Sequence, residues 1–264
     1  MELIDIGCNL THDSFDADRE QVLANARQAG VAQMIVTGAR EDGSRAALEL
    51  ARRHPAVLFA TAGVHPHHAA DYTAETDALL RDLAAQDEVV AVGETGLDYF
   101  RDFSPRDAQR DAFARQLRIG ADTGLPLFLH LREAHEDFHA MLSEHRGALA
   151  EVVVHCFTGT REEMLQYVDL GCHIGITGWI CDERRGTHMK DYLAEIPADR
   201  LMIETDAPYL KPRNLRPRIK SHRNEPRFLP WIAGTLAAVR NEHPEHLAAQ
   251  TTANARRFFR IPAP

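Results

Sequence analysis

"VVVHCFTG", residues 152–159, joins an apolar strand to a histidine. Three β-branched valines favour a buried extended segment, and the apolar run then stops at His155. One imidazole in that position reads as a structural residue bonded to a backbone carbonyl. A series of strands that all end in ionisable residues would read as a site.

Seven further runs have the same form: "ELIDIG" (2–7), "QMIVTG" (33–38), "LFATAGV" (58–64), "VVAVGE" (89–94), "LPLFLH" (125–130), "CHIGITG" (172–178) and "RLMIET" (200–205). Amphipathic helical patterns separate them, such as "DREQVLANARQAG" (18–30) and "SPRDAQRDAFARQLRIGADTG" (104–124). The second pattern starts with Ser104 as N-cap and Pro105 at the first helical position, and ends near Gly124. Thr160 and Glu163 in "TREEM" stand at capping-box spacing. Eight β–α alternations predict a parallel sheet crossed by helices. Eight units in 264 residues favour an α/β fold of the (β/α)8 TIM-barrel type over an open doubly wound sheet. No G-x-G-x-x-G follows the first strand, which weakens a dinucleotide-binding alternative. With no low-complexity segment and no Pro/Gly/Ser linker, residues 1–264 are expected to form one domain.

Composition narrows the class. Hydrophobic residues make up 44% and charged residues 26%, ordinary values for a globular protein. Cys8, Cys156, Cys172 and Cys181 form no C-x-x-C pair, and reduced thiols in the cytoplasm are the expected state. "MELIDIG" enters a strand at once, without the basic and apolar regions of a signal peptide. No apolar run approaches the ~20 residues that cross a bilayer, so no membrane partner is expected. A net charge of −9 argues against non-specific coating of nucleic acid but leaves room for a local basic site.

In a barrel of this type the C-terminal strand ends build the active site. Those positions hold Asp5, His65, His67, Glu94, His130, His155 and Asp206. His155 is thus one of a converging set, and imidazoles with carboxylates at a barrel mouth fit a divalent metal. Glu94 could bridge or anchor it, His130 and His155 could supply nitrogen, and Asp206 could hold or deprotonate water. Water made acidic by a metal is a competent nucleophile near neutral pH. Cys156 beside His155 should point to the opposite strand face, which assigns its thiol to core packing.

A rival motif is "HEDFH", residues 135–139, which matches the H-E-x-x-H of zinc proteases. Ala134, Phe138, Met141 and Leu142 form the apolar stripe of that helix. His135 and His139 then fall on its polar border, on the outer ring and away from the mouth.

From Lys211 to Arg227 the chain reads "KPRNLRPRIKSHRNEPR", with seven Lys or Arg residues against one acid, Glu225. The segment leaves the same mouth as Asp206. The loop after the seventh strand adds Arg184 and Arg185, and Arg132 follows His130 closely. Guanidinium forks match phosphate oxygens in pairs, so a phosphate ester substrate is expected. Arg213, Arg216 and Arg223 are the expected phosphate contacts within the segment. Trp179 and Tyr209 could stack on unpaired bases.

"AGVHPH" (62–67), "VGETGLDYFRDFS" (92–104), "HCFTGTREEM" (155–164), "GWICDERRG" (178–186), "IETDAPYLKPR" (203–213) and "HRNEP" (222–226) resemble the TatD family of metal-dependent DNases. The likeness covers essentially the whole chain. It implies a metal-dependent hydrolase barrel and, in the branch whose long motifs match, a Mg²⁺-dependent 3′→5′ exonuclease preferring single-stranded DNA and RNA. By that resemblance Glu94, His130 and His155 are metal ligands, and Asp206 is the catalytic or metal-binding aspartate. Many relatives carry D-x-H-x-H on the first strand, where this chain has "DIGCN" with Gly7 and Asn9. A second metal would rely on Glu94, Asp206, Asn9 and water, an oxygen-rich set better suited to Mg²⁺ than to Zn²⁺.

The expected protein is therefore a cytoplasmic, monomeric phosphodiesterase that uses Mg²⁺, with Mn²⁺ or Zn²⁺ as alternatives. His65, Arg132, Arg185 and Arg213 are its expected substrate contacts. A small-molecule hydrolase on the same barrel, such as a lactonase or amidohydrolase, and a non-catalytic nucleic-acid-binding protein are the alternatives.

Overall fold

Eight parallel strands alternate with helices in the computed structural model, which describes residues 1–217 and 219–263. Arg218, one of the cations of the basic segment, lies outside the described residues, as does Pro264. The strands are β1 (Leu3–Cys8), β2 (Val31–Val36), β3 (Leu58–Ala62), β4 (Val89–Asp98), β5 (Leu127–Arg132), β6 (Val152–Val154), β7 (His173–Ile176) and β8 (Leu201–Ile203). Each pairs in parallel with the next in chain order, and a helical segment makes each crossover. The main helices are α1 (Arg19–Gln28), α2 (Glu41–Arg53), α3 (Ala74–Ala84), α4 (Arg106–Thr123), α5 (His135–His145), α6 (Arg161–Asp169), α7 (Leu229–Arg240) and α8 (Pro244–Phe259). This is the expected (β/α)8 barrel. Among the described residues no helix is long and apolar enough to cross a membrane.

Two layers of apolar packing hold it. Residues such as Leu3, Val36, Leu129 and Val154 face the helices. Ile4, Ile6, Ile35, Phe59, Phe128, Val153 and Met202 fill the interior. Phe258 and Phe259 of α8 join the interior group near the strand starts, so the C-terminal helix plugs the lower end. Alternation along each strand produces both layers.

The seam between β8 and β1 is closed by other means than a regular ladder. The Asp206 N–H donates to Gly7 O (2.9 Å), and the Asn9 N–H donates to Ala207 O (2.7 Å). Asp5, fully buried, accepts from the Thr205 N–H (2.9 Å) and from the Thr205 hydroxyl. Burial pushes the Asp5 carboxyl up to about 8 despite these bonds.

Helix termini follow the sequence with one correction. Thr160 and Glu163 form the capping box of α6, and Gly124 ends α4 in the left-handed conformation (φ +68°). Ser104 does not cap α4; Pro105 takes that position, and the helix starts at Arg106. The Ser104 hydroxyl instead donates to His67 O (3.0 Å) and accepts from the Ala70 N–H (3.1 Å). It ties the loop after β4 to the loop after β3, a long-range partnership that local spacing does not reveal.

The buried Asp5 predicts a pH signature. It keeps its proton to about pH 8 when folded, against an ordinary value of 3.8. Between those values the unfolded chain binds fewer protons, so Asp5 lowers stability as pH rises through that window. In urea titrations at pH 5 and pH 8, Asp5→Asn should lose less stability on raising the pH than the wild type does. Parallel losses in both proteins would mean that Asp5 is ionised in the fold.

Candidate metal centre

The site is built where β4 departs from regular pairing. Val92 pairs with Leu127 and Thr95 with Leu129, so three steps on β4 face two on β5. That bulge re-aims the residue between them, Glu94. A Cβ at Gly93 would come within 2.2 Å of Phe128 O, and Gly93 has φ +140°, so only glycine fits the approach. The Glu94 N–H donates to Gly38 O (2.7 Å), which fixes the strand end.

Three imidazoles converge on one oxygen of this carboxylate. Glu94 Oε1 lies 2.7 Å from His155 Nε2, 3.1 Å from His130 Nδ1 and 3.4 Å from His65 Nε2. Burial alone would raise the Glu94 carboxyl, but His65, His155 and His130 more than offset it and hold it well below the ordinary range. Burial likewise opposes charge on His155, yet Glu94 and Glu204 on either side hold its pKa well above normal. His65 goes the other way, pushed well down by burial and by the neighbouring His130 and His67, with Glu94 opposing.

A second ring of carboxylates orients the first. Glu204, fully buried, accepts from His155 Nδ1 (3.3 Å) and from the Cys156 N–H (2.6 Å). Asp98 Oδ2 accepts from His67 Nε2 (2.7 Å) and lies 3.4 Å from His130 Nε2. Burial opposes ionisation of Asp98, but His130, His67 and the Arg101 N–H hold its carboxyl well down. Carboxylates behind imidazoles are the usual way to fix ring orientation at a metal. Asp206 is partly buried, with Asn9 Nδ2 donating to its Oδ1 (3.0 Å). Burial and the nearby Glu94 and Glu204 raise its carboxyl to about 7, against the pull of His155.

The donors fit a divalent metal. One ring nitrogen each from His65 and His130 and one Glu94 oxygen lie within 4.8 Å of one another. His130 Nε2 is a buried nitrogen without a hydrogen-bond partner among the described residues. This set has the expected two imidazoles and one carboxylate, with His65, from the loop after β3, standing in it beside His130. His65, expected at the substrate, is instead buried against Glu94.

The remaining expected residues divide. The Arg132 guanidinium lies over Phe100 (4.8 Å) and Trp179 (5.0 Å), and that of Arg185 over Trp179 (4.3 Å). Trp179 thus carries two cations and is not a bare platform for bases. Arg213 lies near Asp182 (3.6 Å) and Glu183 (3.5 Å). Arg223 is committed elsewhere: it bonds Asp18 twice (2.8 and 2.6 Å) and Glu225 (3.2 Å), so it braces the loop and offers no free fork to phosphate. His135 opens α5 three residues past β5, which puts it beside the mouth and not away from it. Its ring nitrogens are spent on the Tyr167 hydroxyl (2.7 Å) and Gln166 (3.2 Å). Cys156 is not in the core: the strand ends at Val154, the residue turns with φ +46°, and its half-buried Sγ lies 3.6 Å from the Thr177 hydroxyl.

Sequence reasoning misses Glu204 and Asp98. Glu204 interrupts an apolar strand in "LMIET", and that interruption is the available signal. Asp98 escapes because β4 runs four residues beyond the expected end at Glu94.

The family model of the TatD related DNases matches residues 4–260. The chain belongs to the TatD-related DNase family. The "3′-5′ ssDNA/RNA exonuclease TatD" of Pantoea sp. (strain At-9b) is 52% identical over 259 residues, covering 98% of this chain and 100% of that protein. The protein of the same name from Erwinia billingiae is 50% identical over 261 residues, covering 99% and 100%. A crystal structure of YJJV, a TatD homologue of Escherichia coli K12, superposes with a TM-score of 0.90 at 29% identity, covering 98% of both chains. TatD-family membership makes the protein a hydrolase of the nuclease type.

Gly7 gives a test of the site's packing. A Cβ there would meet Glu204 Oε2 at 2.4 Å and Phe128 Cζ at 2.8 Å. The Glu204 carboxylate therefore occupies the space into which a histidine at position 7 would project. Gly7→His should cost about 1–3 kcal/mol, read as a lowered melting temperature, and Gly7→His with Glu204→Ala should recover part of it. An unchanged melting curve for the single variant would mean that Glu204 yields freely.

Proposed function

We propose that the protein is a divalent-metal-dependent 3′→5′ exonuclease acting on single-stranded DNA and RNA. The observation that carries this reading is the buried Glu94 oxygen ringed by His65, His130 and His155 at a barrel mouth. Arg132, Arg185 and Arg213 border that mouth. Relatives at half identity or more, covered over their full length, bear the name of this activity.

Glu94, His130 and His155 would hold the metal, with His65 placed as a further nitrogen donor beside Glu94 and His130. Mg²⁺ suits the carboxylates Glu94 and Asp206, and Mn²⁺ accepts those and the imidazoles. When bound, the metal polarises the scissile phosphodiester and lowers the pKa of the attacking water. Glu204 keeps His155 facing Glu94, and Asp98, which also binds His67, stands 3.4 Å behind His130. Asp206, with one oxygen held by Asn9, takes the proton from water through the other. Arg132, Arg185 and Arg213 bind phosphate oxygens, and exposed Tyr209, three residues past Asp206, stacks on the terminal base. The protein works as a cytoplasmic monomer, with residues 1–264 as one hydrolase domain.

Incubation of 5′-labelled single-stranded DNA and RNA with Mg²⁺, Mn²⁺ or EDTA tests the reading. Shortening from the 3′ end should require metal, and a 3′-terminal phosphorothioate should slow it. Glu94→Ala should lose at least ~10³-fold in turnover, while His135→Ala with His139→Ala should stay near wild type. Wild-type activity in folded Glu94→Ala protein, or cleavage that survives EDTA, would sink the proposal.

A further inference from the structure

Two clefts border the mouth, and Trp179 lines both. The larger, about 830 Å³, runs along the start of α5. Among its lining residues Arg106 and Arg132 face Glu133, Glu136, Asp137 and Glu163, two cations against four carboxylates. The second, about 410 Å³, lies between the loops after β7 and β8. Here Arg184, Arg185, Lys211, Arg213 and Lys220 face one carboxylate, Asp182. A polyanion leaving the mouth meets repulsion along the first route and attraction along the second.

The second cleft is also built to keep its cations in place. The Asp182 side chain is only 2% exposed. It accepts from Arg184 (3.1 and 3.0 Å) and from Arg185 (3.0 Å), and lies 3.6 Å from Arg213. One buried carboxylate thus orients guanidinium groups from two separate loops, and even with the exposed Glu183 beside Arg213 (3.5 Å) the cleft keeps a net positive charge. The Trp179 indole N–H donates to Arg185 O (3.3 Å), and its ring lies under the Arg185 guanidinium. The Lys211 ammonium donates to Ile219 O (2.9 Å) and Ser221 O, which folds the basic segment back over the cleft. Preorganised forks of this kind bind phosphate at lower entropic cost than mobile surface arginines.

We infer that this cleft is a subsite for the phosphates of the strand on the 5′ side of the cleaved bond. Asp182 is its positioning residue, and Trp179 is the wall that turns the strand away from the acidic cleft. The inference rests on the exonuclease reading and extends it. Binding along the strand, beyond the scissile phosphate, makes affinity depend on substrate length.

Fluorescence anisotropy in EDTA, with 5′-labelled single-stranded octanucleotide and dinucleotide probes, tests this apart from turnover. Arg184→Gln with Lys220→Gln should weaken the octanucleotide about tenfold or more and leave the dinucleotide almost unchanged. The log–log salt slope for the octanucleotide should flatten by about 1.4, at ~0.7 for each phosphate that is no longer neutralised. Arg106→Gln, which removes a cation from the acidic cleft, should leave both probes as in the wild type. An unchanged octanucleotide Kd in the double variant overturns the subsite, and so does an equal loss on both probes or a comparable loss in Arg106→Gln. If the wild type shortens oligonucleotides while the double variant binds like it, the subsite alone fails. If the wild type shows no metal-dependent shortening, the exonuclease reading fails with it.

Discussion

A single carboxylate oxygen, Glu94 Oε1, stands within hydrogen-bonding or ion-pairing reach of His155, His130 and His65. Burying a carboxylate is costly unless cations or donors surround it, and most of the site exists to supply them. The bulge in β4 turns Glu94 inward, and the bare Gly93 lets the strand pass Phe128 closely enough to do so. The imidazoles come from the C-terminal ends of three strands: His65 from the loop after β3, His130 from near the end of β5 and His155 directly after β6. Glu204 then holds His155 from behind, and Asp98 stands behind His130, so the charge alternates outward from the centre at those two rings. The same shell fits a metal, because a cation and a set of imidazoles satisfy Glu94 by the same electrostatics.

Around this centre, arginines do different work. Arg223 neutralises Asp18 and Glu225 and braces the fold. Arg184 and Arg185 share the buried Asp182 and keep donors free beside the mouth. Arg132 lies against Phe100 and Trp179, where its charge is held by ring faces and not by an acid. A count of basic residues treats these alike, and only their partners, acidic or aromatic, separate them. Those partners lie as far away in sequence as residue 18, which is why the run of cations by itself overstates the phosphate surface.

All eight strands are legible in the sequence, because buried parallel strands need continuous apolar runs and crossovers need amphipathic helices. The recurrence of ionisable residues at strand ends marks Glu94, His130 and His155 as one set, and the structure brings them within reach of one another. Position along a strand is a local property, so periodicity reports it. Which side chain touches which is not local. Glu204 looks like part of an apolar strand, Asp98 lies beyond the expected end of β4, and Ser104 looks like a helix cap. His65 is visible as a strand-end histidine, yet only the register of β3 against β4 shows that it faces Glu94.

Local sequence encodes the barrel, the family and the recurrence of ionisable residues at one end of the strands. Those follow from the order of apolar runs, their lengths and the motifs after them. The tertiary structure alone decided that the seam closes through Asp5 and Thr205, and that Glu204 fills the space beside Gly7. It also decided that Asp182 gathers arginines from two loops. Each of these depends on the distance between residues far apart in the chain. That distance is set by how eight strands pack around one core, and no stretch of local sequence encodes it.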